Sequence, residues 1–157
     1  SQDRPSPPAF PRRTRYRLIL DAGPWVALPC RDDTHHEWAK AQFAQYPGPF
    51  PTCEAVVAEA CLLLARAGFD LARALMLLER SAVHIALSLE SQVAPVRRLF
   101  ERDDNVPASL ADACLLRMSE LFEPCSILTL GRNFGIYRRL GRKTISLMSP
   151  CAQVRTD

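Results

Sequence analysis

The chain has 157 residues, of which 48% are hydrophobic and 24% are charged, the balance of a globular domain with a sizeable core. The formal net charge of +3 does not repel a polyanion, but it is too small to indicate a nucleic-acid partner by itself. No uninterrupted apolar run reaches the roughly 18 residues of a membrane span, and no secretory signal follows the basic N-terminus, so no membrane partner is expected.

Three segments are predicted from the composition along the chain. Residues 1–15 are rich in proline and arginine and are predicted to form a flexible arm. Residues 16–150 are predicted to form one domain, and residues 151–157 a tail.

The hydrophobic pattern predicts strands that alternate with helices. The predicted strands are 17–21, 83–87, 125–130 and 143–148. The predicted helices are 24–28, 34–46, 51–68, 70–80, 90–102, 107–123 and 132–140, and Thr34 and Glu37 have the spacing of a capping box. This order predicts an α/β fold with a parallel sheet of four to five strands flanked by helices. In such sheets, sites form at the C-terminal ends of the strands.

Three carboxylates stand in apolar surroundings. Asp21 ends the first predicted strand, Glu59 is the only charge in the middle of an apolar helix, and Asp112 lies near the start of another. A buried carboxylate must be neutralised, paired or bound to a metal, and no Lys, Arg or His lies in these runs. If the three acids converge, they predict a site for a divalent cation that acts on phosphate esters.

Each acid also has a simpler interpretation. Asp21 is a suitable turn or cap residue. Glu59 is compatible with a narrow exposed stripe on its helix, and Asp112 with favourable interaction with a helix dipole. The metal-site hypothesis therefore depends on all three acids together.

Four segments, in order and at matching spacing, resemble the PIN-domain ribonucleases, particularly the small VapC-type toxins. They are residues 18–24 with the opening acid, 52–64 with the second, 110–113 with the third, and 129–134 followed by Tyr137 and Arg138. The resemblance covers roughly residues 17–148, nearly all of the predicted domain.

This resemblance implies a three-layer sandwich and Mg2+- or Mn2+-dependent hydrolysis of RNA. It implies that Asp21, Glu59 and Asp112 are the catalytic residues and the metal ligands, directly or through water. It also implies RNA as the substrate, a small antitoxin protein as a partner in a toxin–antitoxin pair, and a homodimer.

The closing segment departs from the family pattern. Relatives normally carry an aspartate at the position of Gly131 and often one at Asn133, and both residues are neutral here. With fewer carboxylates the site holds a cation less tightly, although Thr129 and Asn133 offer auxiliary oxygen atoms. The sequence thus leaves open a weakened ribonuclease, a catalytically degenerate module that binds RNA or protein, and a related nuclease acting on DNA.

Basic residues follow the closing segment. Arg132, Arg138 and Arg139 are candidate contacts to RNA phosphates, with a solvated surface as the alternative. Tyr137 is a candidate to stack on a base or simply to pack in the core.

Two further features remain. The helix predicted over residues 70–80 is apolar on more than one side, which indicates a helix that completes the core or, alternatively, a dimer face. The six cysteines contain no C-x-x-C pair, which indicates reduced, packed thiols in a cytoplasmic protein.

Overall fold

The computed structural model describes residues 16–131, 133–135, 137–140 and 143–150, without the side chain of Asn133. The predicted arm (1–15) and tail (151–157) lie outside the described residues. The strands are β1 (Arg17–Leu20), β2 (Phe50–Thr52), β3 (Val83–Ile85), β4 (Cys125–Leu128), β5 (Arg138–Arg139), β6 (Lys143–Thr144) and β7 (Leu147–Met148). The helices are α1 (Ala22–Ala27), α2 (His36–Gln45), α3 (Glu54–Arg66), α4 (Leu71–Glu79), α5 (Leu89–Phe100) and α6 (Leu110–Leu121).

The centre of the fold is a parallel sheet with the strand order β1-β4-β7. Every residue of β4 is buried, as are the last three residues of β1, because helices flank the sheet. The predicted α/β class and the parallel sheet flanked by helices are confirmed.

A second parallel pair, β2 with β3, lies beside this sheet. The hydroxyl of Thr52, at the end of β2, donates a hydrogen bond to the carbonyl of Leu20, at the end of β1. The parallel strands therefore form a three-stranded and a two-stranded ladder in contact, where the sequence predicted one sheet of four to five strands. Strand β2 was not predicted, because three residues that include a proline carry little strand signal.

The ends of β1 and β4 are adjacent, which positions the candidate site. The amide of Asp21, directly after β1, donates to the carbonyl of Leu128, the last residue of β4. Gly23 in α1 allows this close approach, since a Cβ atom there would lie 3.0 Å from the Cβ atom of Leu130. Asp21 and Thr129 consequently emerge side by side at the C-terminal edge of the sheet.

The helix predicted over residues 132–140 is wrong within the described part of the chain. That segment contains a 3-10 turn (Asn133–Gly135) followed by β5, which pairs antiparallel with β6. Phe134 and Tyr137 are both buried and their rings pack edge to face. Their three-residue spacing imitates the face of a helix, which explains the incorrect prediction.

Two smaller predictions also change. The capping box of Thr34 and Glu37 does not form, because α2 begins at His36 and the preceding turn is held by Asp33, whose carboxylate accepts from the amide of His35. The strand predicted over residues 143–148 is divided into β6 and β7.

One side of helix α4 completes the core: Ala74 is buried, and Leu77 and Leu78 pack against the buried residues. On another side, Leu71 and Leu75 are 41% and 48% exposed. Among the described residues, no helix has the length and apolar character needed to cross a membrane.

Candidate active site

Asp21 is the most enclosed of the three acids, with 8% of its surface exposed. One carboxylate oxygen accepts from the amide of Ala22 at 2.7 Å, and the other accepts from the hydroxyl of Thr129 at 2.6 Å. Asp21 is also the N-cap residue of α1, so its simpler interpretation as a helix cap is correct as well. Burial raises the pKa of Asp21, the two hydrogen bonds oppose this, and the charge of Asp112 raises it further.

Asp112 lies in the first turn of α6. Its amide donates to the hydroxyl of the N-cap residue Ser109, which fixes the start of the helix. The hydroxyl of Tyr137 donates to Oδ2 of Asp112 at 3.0 Å and accepts from the amide of Ala108. Burial raises the pKa of Asp112, and the hydrogen bonds from Tyr137 and Ser109 oppose this rise.

Glu59 extends from α3 and is half-buried, so it is less enclosed than the sequence indicated. Burial raises the pKa of Glu59, and the charges of Asp21 and Asp112 raise it further. The three acids, which are far apart in the sequence, are therefore close enough in the fold for their charges to interact.

No ion pair neutralises this acid cluster (Asp21, Glu59 and Asp112). None of the three carboxylates lies within ion-pair distance of a Lys, Arg or His among the residues that the structure describes. Mutual repulsion without a counter-ion is the electrostatic situation that a bound cation would relieve.

The chemistry of the three acids fits a hard divalent cation, since carboxylate oxygens are the donors that such cations prefer. In the described parts of the chain, however, no three Asp, Glu, His or Cys side chains are grouped closely enough to hold a metal ion together. Asp21 and Asp112 are both held by hydrogen bonds. Glu59 has no hydrogen-bond partner in that part of the chain and is the acid that can reorient toward a cation.

Thr129, predicted as an auxiliary metal donor, contacts protein groups in the structure. It is fully buried, its hydroxyl donates to Asp21, and it accepts from the amide of Gly131. Thr129 therefore orients Asp21, and its role as an auxiliary metal donor stays a prediction. The prediction for the side chain of Asn133 lies outside the described residues.

The three arginines predicted to contact RNA differ in their positions. Arg132 lies outside the described residues. Arg138 is partly exposed and donates to the carbonyls of Gly135 and Tyr137. Arg139 is buried and forms an ion pair with Glu123.

The direction of the chain explains why Arg139 faces away from the acids. Tyr137 contacts Asp112 at the start of α6, whereas the amide of Leu140 donates to Glu120 near the end of α6. The charge of Arg139 acts on Cys125, at the start of β4 and the opposite edge of the sheet from Asp21. We therefore leave Arg139 out of the candidate RNA-binding surface.

Tyr137 is the site residue whose function the sequence did not reveal. Its ring packs in the core, as one of the two interpretations predicted, but its hydroxyl orients Asp112. Burial raises the pKa of Tyr137, so the hydroxyl keeps its proton and remains a donor.

Comparison with solved structures identifies the architecture. The chain is similar to the VapC20 toxin of Mycobacterium tuberculosis, described as a toxin that cleaves the sarcin–ricin loop, with a TM-score of 0.54 and 24% sequence identity. The likeness covers 64% of this chain and 82% of that toxin. The chain therefore shares its α/β fold with this toxin. No protein-family model and no curated protein matches the chain.

Proposed function

We propose that the protein is a metal-dependent endoribonuclease that hydrolyses RNA phosphodiester bonds and is the toxin of a toxin–antitoxin pair. The observation that carries this proposal is that Asp21, Glu59 and Asp112 lie close enough for their charges to interact, while no cation among the described residues pairs with them. The fold shared with a toxin described as cleaving the sarcin–ricin loop supports it.

The residues of the cluster have different roles in this proposal. Asp21 is a fixed ligand, held by Thr129 and the amide of Ala22. Asp112 is a second fixed ligand, held by Tyr137. Glu59 completes the site by reorienting from α3. When bound, Mg2+ or Mn2+ supplies Lewis-acid polarisation of the phosphate.

The site is weakened by its uncharged closing segment. Gly131 brings only its amide, which donates to Thr129, where an aspartate would bring another carboxylate. A less negative site has a lower affinity for divalent cations. Cleavage is therefore expected to require higher concentrations of Mg2+ or Mn2+ than a site with four acids.

The partners follow from the same proposal. RNA is bound through its phosphates by Arg138 and Arg132, and a small antitoxin protein restrains the enzyme in the cytoplasm. The proposed homodimer uses the exposed leucines of α3 and α4, two helices that pack together. These leucines are Leu62, Leu63, Leu71 and Leu75.

The test is cleavage of a structured RNA and of a single-stranded DNA, each titrated with Mg2+ and Mn2+. The proposal expects metal-dependent cleavage of the RNA, an internal cut, and loss of at least about a hundredfold in rate for Asp21→Asn. Asp104→Asn, which changes an exposed loop aspartate, is the matched control and retains activity. Cleavage of the DNA alone would replace this proposal with a deoxyribonuclease.

A degenerate PIN-like module that binds RNA or protein is the second candidate. It is favoured by the neutral Gly131 and by the finding that no three potential metal ligands are grouped in the described chain. This candidate predicts RNA binding without cleavage and no Mn2+ binding at millimolar concentration. Calorimetric titration of Mn2+ into the protein and into Asp21→Asn separates the two.

A further inference from the structure

Two partly exposed arginines meet beside the segment that holds Asp112. Arg102 lies just after α5, in the loop that leads to α6, and Nη1 of its guanidinium donates to the carbonyl of Arg138 at 2.9 Å. Arg138 lies in β5, and its own Nη1 donates at 3.0 Å to the carbonyls of Gly135 and Tyr137. Both guanidinium groups are therefore held against the same short stretch of main chain.

Neither arginine has a carboxylate partner among the residues that the structure describes. Asp103 and Asp104 follow Arg102 in the same loop, yet no ion pair joins either of them to it. The ion pairs of α5, α6 and β5 belong to other arginines, namely Arg97, Arg117 and Arg139. Because two positive charges that lie close together repel each other, an anion bound between them would relieve this repulsion.

Tyr137 connects this arginine pair (Arg102 and Arg138) to the acid cluster. Its hydroxyl contacts Oδ2 of Asp112 and the amide of Ala108, while its carbonyl accepts from Arg138. The arginine pair and Asp112 therefore lie at opposite ends of one tyrosine residue. Because each strand of a nucleic-acid duplex carries a phosphate at about every 3.4 Å of the axis, a strand that reaches the acid cluster also brings phosphates to the arginines.

We propose that Arg102 and Arg138 form a binding site for a phosphate of the RNA backbone, and that Arg102 is a substrate-positioning residue. The planar N–H donors of a guanidinium match two oxygens of one phosphate. Arg102 uses one N–H in its contact with the carbonyl of Arg138 and keeps others for this ligand. The carbonyls that hold both side chains reduce the rotamer freedom lost on binding. The identity of the ligand rests on the proposed ribonuclease function.

The first experiment measures RNA binding without cleavage. A labelled structured RNA is titrated with the full-length protein in the presence of a chelator, and its fluorescence anisotropy is followed at several salt concentrations. Arg102→Gln is expected to weaken binding about three- to tenfold at low salt and to reduce the slope of log K against log salt by about one. Arg97→Gln is the control, since it removes the same charge from an ion pair with Glu101, and it is expected to keep the slope. Equal losses in both variants, or no binding of RNA by the unmodified protein, would overturn the proposal.

Further variants separate the charge of the site from its structure. Arg102→Lys keeps the charge but loses the planar fork, so we expect a lower affinity with the same salt slope. Arg138→Gln keeps the carbonyl that Arg102 contacts and is expected to reduce the slope as Arg102→Gln does, which serves if Arg102→Gln does not fold. Inorganic phosphate is added as a competitor. Displacement of the RNA at a phosphate concentration equal to that of the RNA would assign the site to free phosphate and overturn the proposal.

Cleavage of the same RNA with Mn2+ tests the positioning role. Arg102→Gln is expected to raise KM at least about threefold and to leave kcat within about twofold, because Arg102 holds a phosphate other than the one that reacts. A lower kcat with an unchanged KM would contradict this role. A protein that binds RNA through Arg102 but never cleaves it would refute the proposed ribonuclease, while the phosphate site would stand.

Discussion

The hydroxyl of Thr129 donates a hydrogen bond of 2.6 Å to Oδ2 of Asp21, and so joins the segment after β4 to the segment after β1. The same hydroxyl accepts from the amide of Gly131. A single buried side chain thus fixes the orientation of an acid and the conformation of the loop that follows β4. Its importance is positional, since the proton of the hydroxyl is already donated to Asp21.

Replacement of Thr129 tests this relationship. Thr129→Val removes the donor to Asp21 and leaves the amide of Gly131 without its partner, so metal affinity and cleavage are expected to fall about 10- to 100-fold. Thr129→Ser retains the hydroxyl and is the control, with activity close to that of the unmodified protein. Mn2+ titration and RNA cleavage measure both variants. Equal losses in the two would show that the methyl group, through packing, matters more than the hydrogen bond.

Tyr137 supports Asp112 in the same way from the closing segment. Because its hydrogen bond lowers the pKa of Asp112, Tyr137→Phe is expected to raise that pKa and to move the acidic limb of the cleavage rate to higher pH. A stability loss of about 1 kcal/mol is expected as well, since the amide of Ala108 loses its acceptor.

The pH–rate profile is the decisive measurement for Tyr137, because a purely structural role lowers the rate equally at all pH values. Tyr46→Phe is the matched control, since Tyr46 lies in a separate pocket with Pro47 and His84. Its profile is expected to coincide with that of the unmodified protein. A Tyr137→Phe profile that is lowered without any displacement would contradict the proposed contact.

The local sequence pattern predicted part of the site. Asp21 could be identified from the buried strand before it and Asp112 from the capped helix that contains it, because both depend on neighbouring residues. The α/β class likewise followed from strands that alternate with helices. The contacts that orient these acids could not be predicted, since Thr129 is 108 positions from Asp21 and Tyr137 is 25 positions from Asp112.

The segment after Gly131 shows a second limit. Phe134 and Tyr137 have helical spacing, yet they pack on each other across a short turn before β5. Arg139 was expected at the surface as an arginine, but it pairs with Glu123, which lies just beyond the C-terminal end of α6. Side-chain partners of this kind are set by tertiary packing, which outweighs local propensity.

The position of Gly131 has room for a Cβ atom, the first atom of the aspartate side chain that the site lacks. A Cβ atom there would lie 3.4 Å from the hydroxyl of Thr129, an ordinary contact, so Gly131→Asp is not excluded by sterics. The added charge is expected to raise the affinity for Mn2+ on the order of tenfold, about 1.4 kcal/mol. Gly131→Asn has the same shape without the charge and is the control. Equal affinities for the two variants would indicate that residue 131 does not face the cation.

Without metal, the acid cluster is expected to destabilise the fold as the pH rises. The pKa values of Asp21, Glu59 and Asp112 are raised in the folded state. Between the ordinary carboxyl pKa and these raised values, the native protein therefore binds more protons than the unfolded chain. The free energy of unfolding therefore falls as the pH rises. The stability that the three protonated acids contribute is fully present below the ordinary carboxyl pKa and is lost as the pH rises through their raised pKa values.

Glu59→Gln isolates this effect, because Glu59 has no hydrogen bond in the described chain that the substitution would break. The variant removes the repulsion with Asp21 and Asp112 and is expected to be more stable than the unmodified protein at neutral pH by about 0.5 kcal/mol, a value kept small because the side chain is half-exposed. At pH 3 the difference is expected to vanish.

Urea unfolding at both pH values, in the presence of a chelator, measures this difference in stability. Glu54→Gln, at an exposed position of the same helix, is the control. If Glu59→Gln is equally or less stable at neutral pH, the charges do not interact as described, and a cation has no repulsion to relieve.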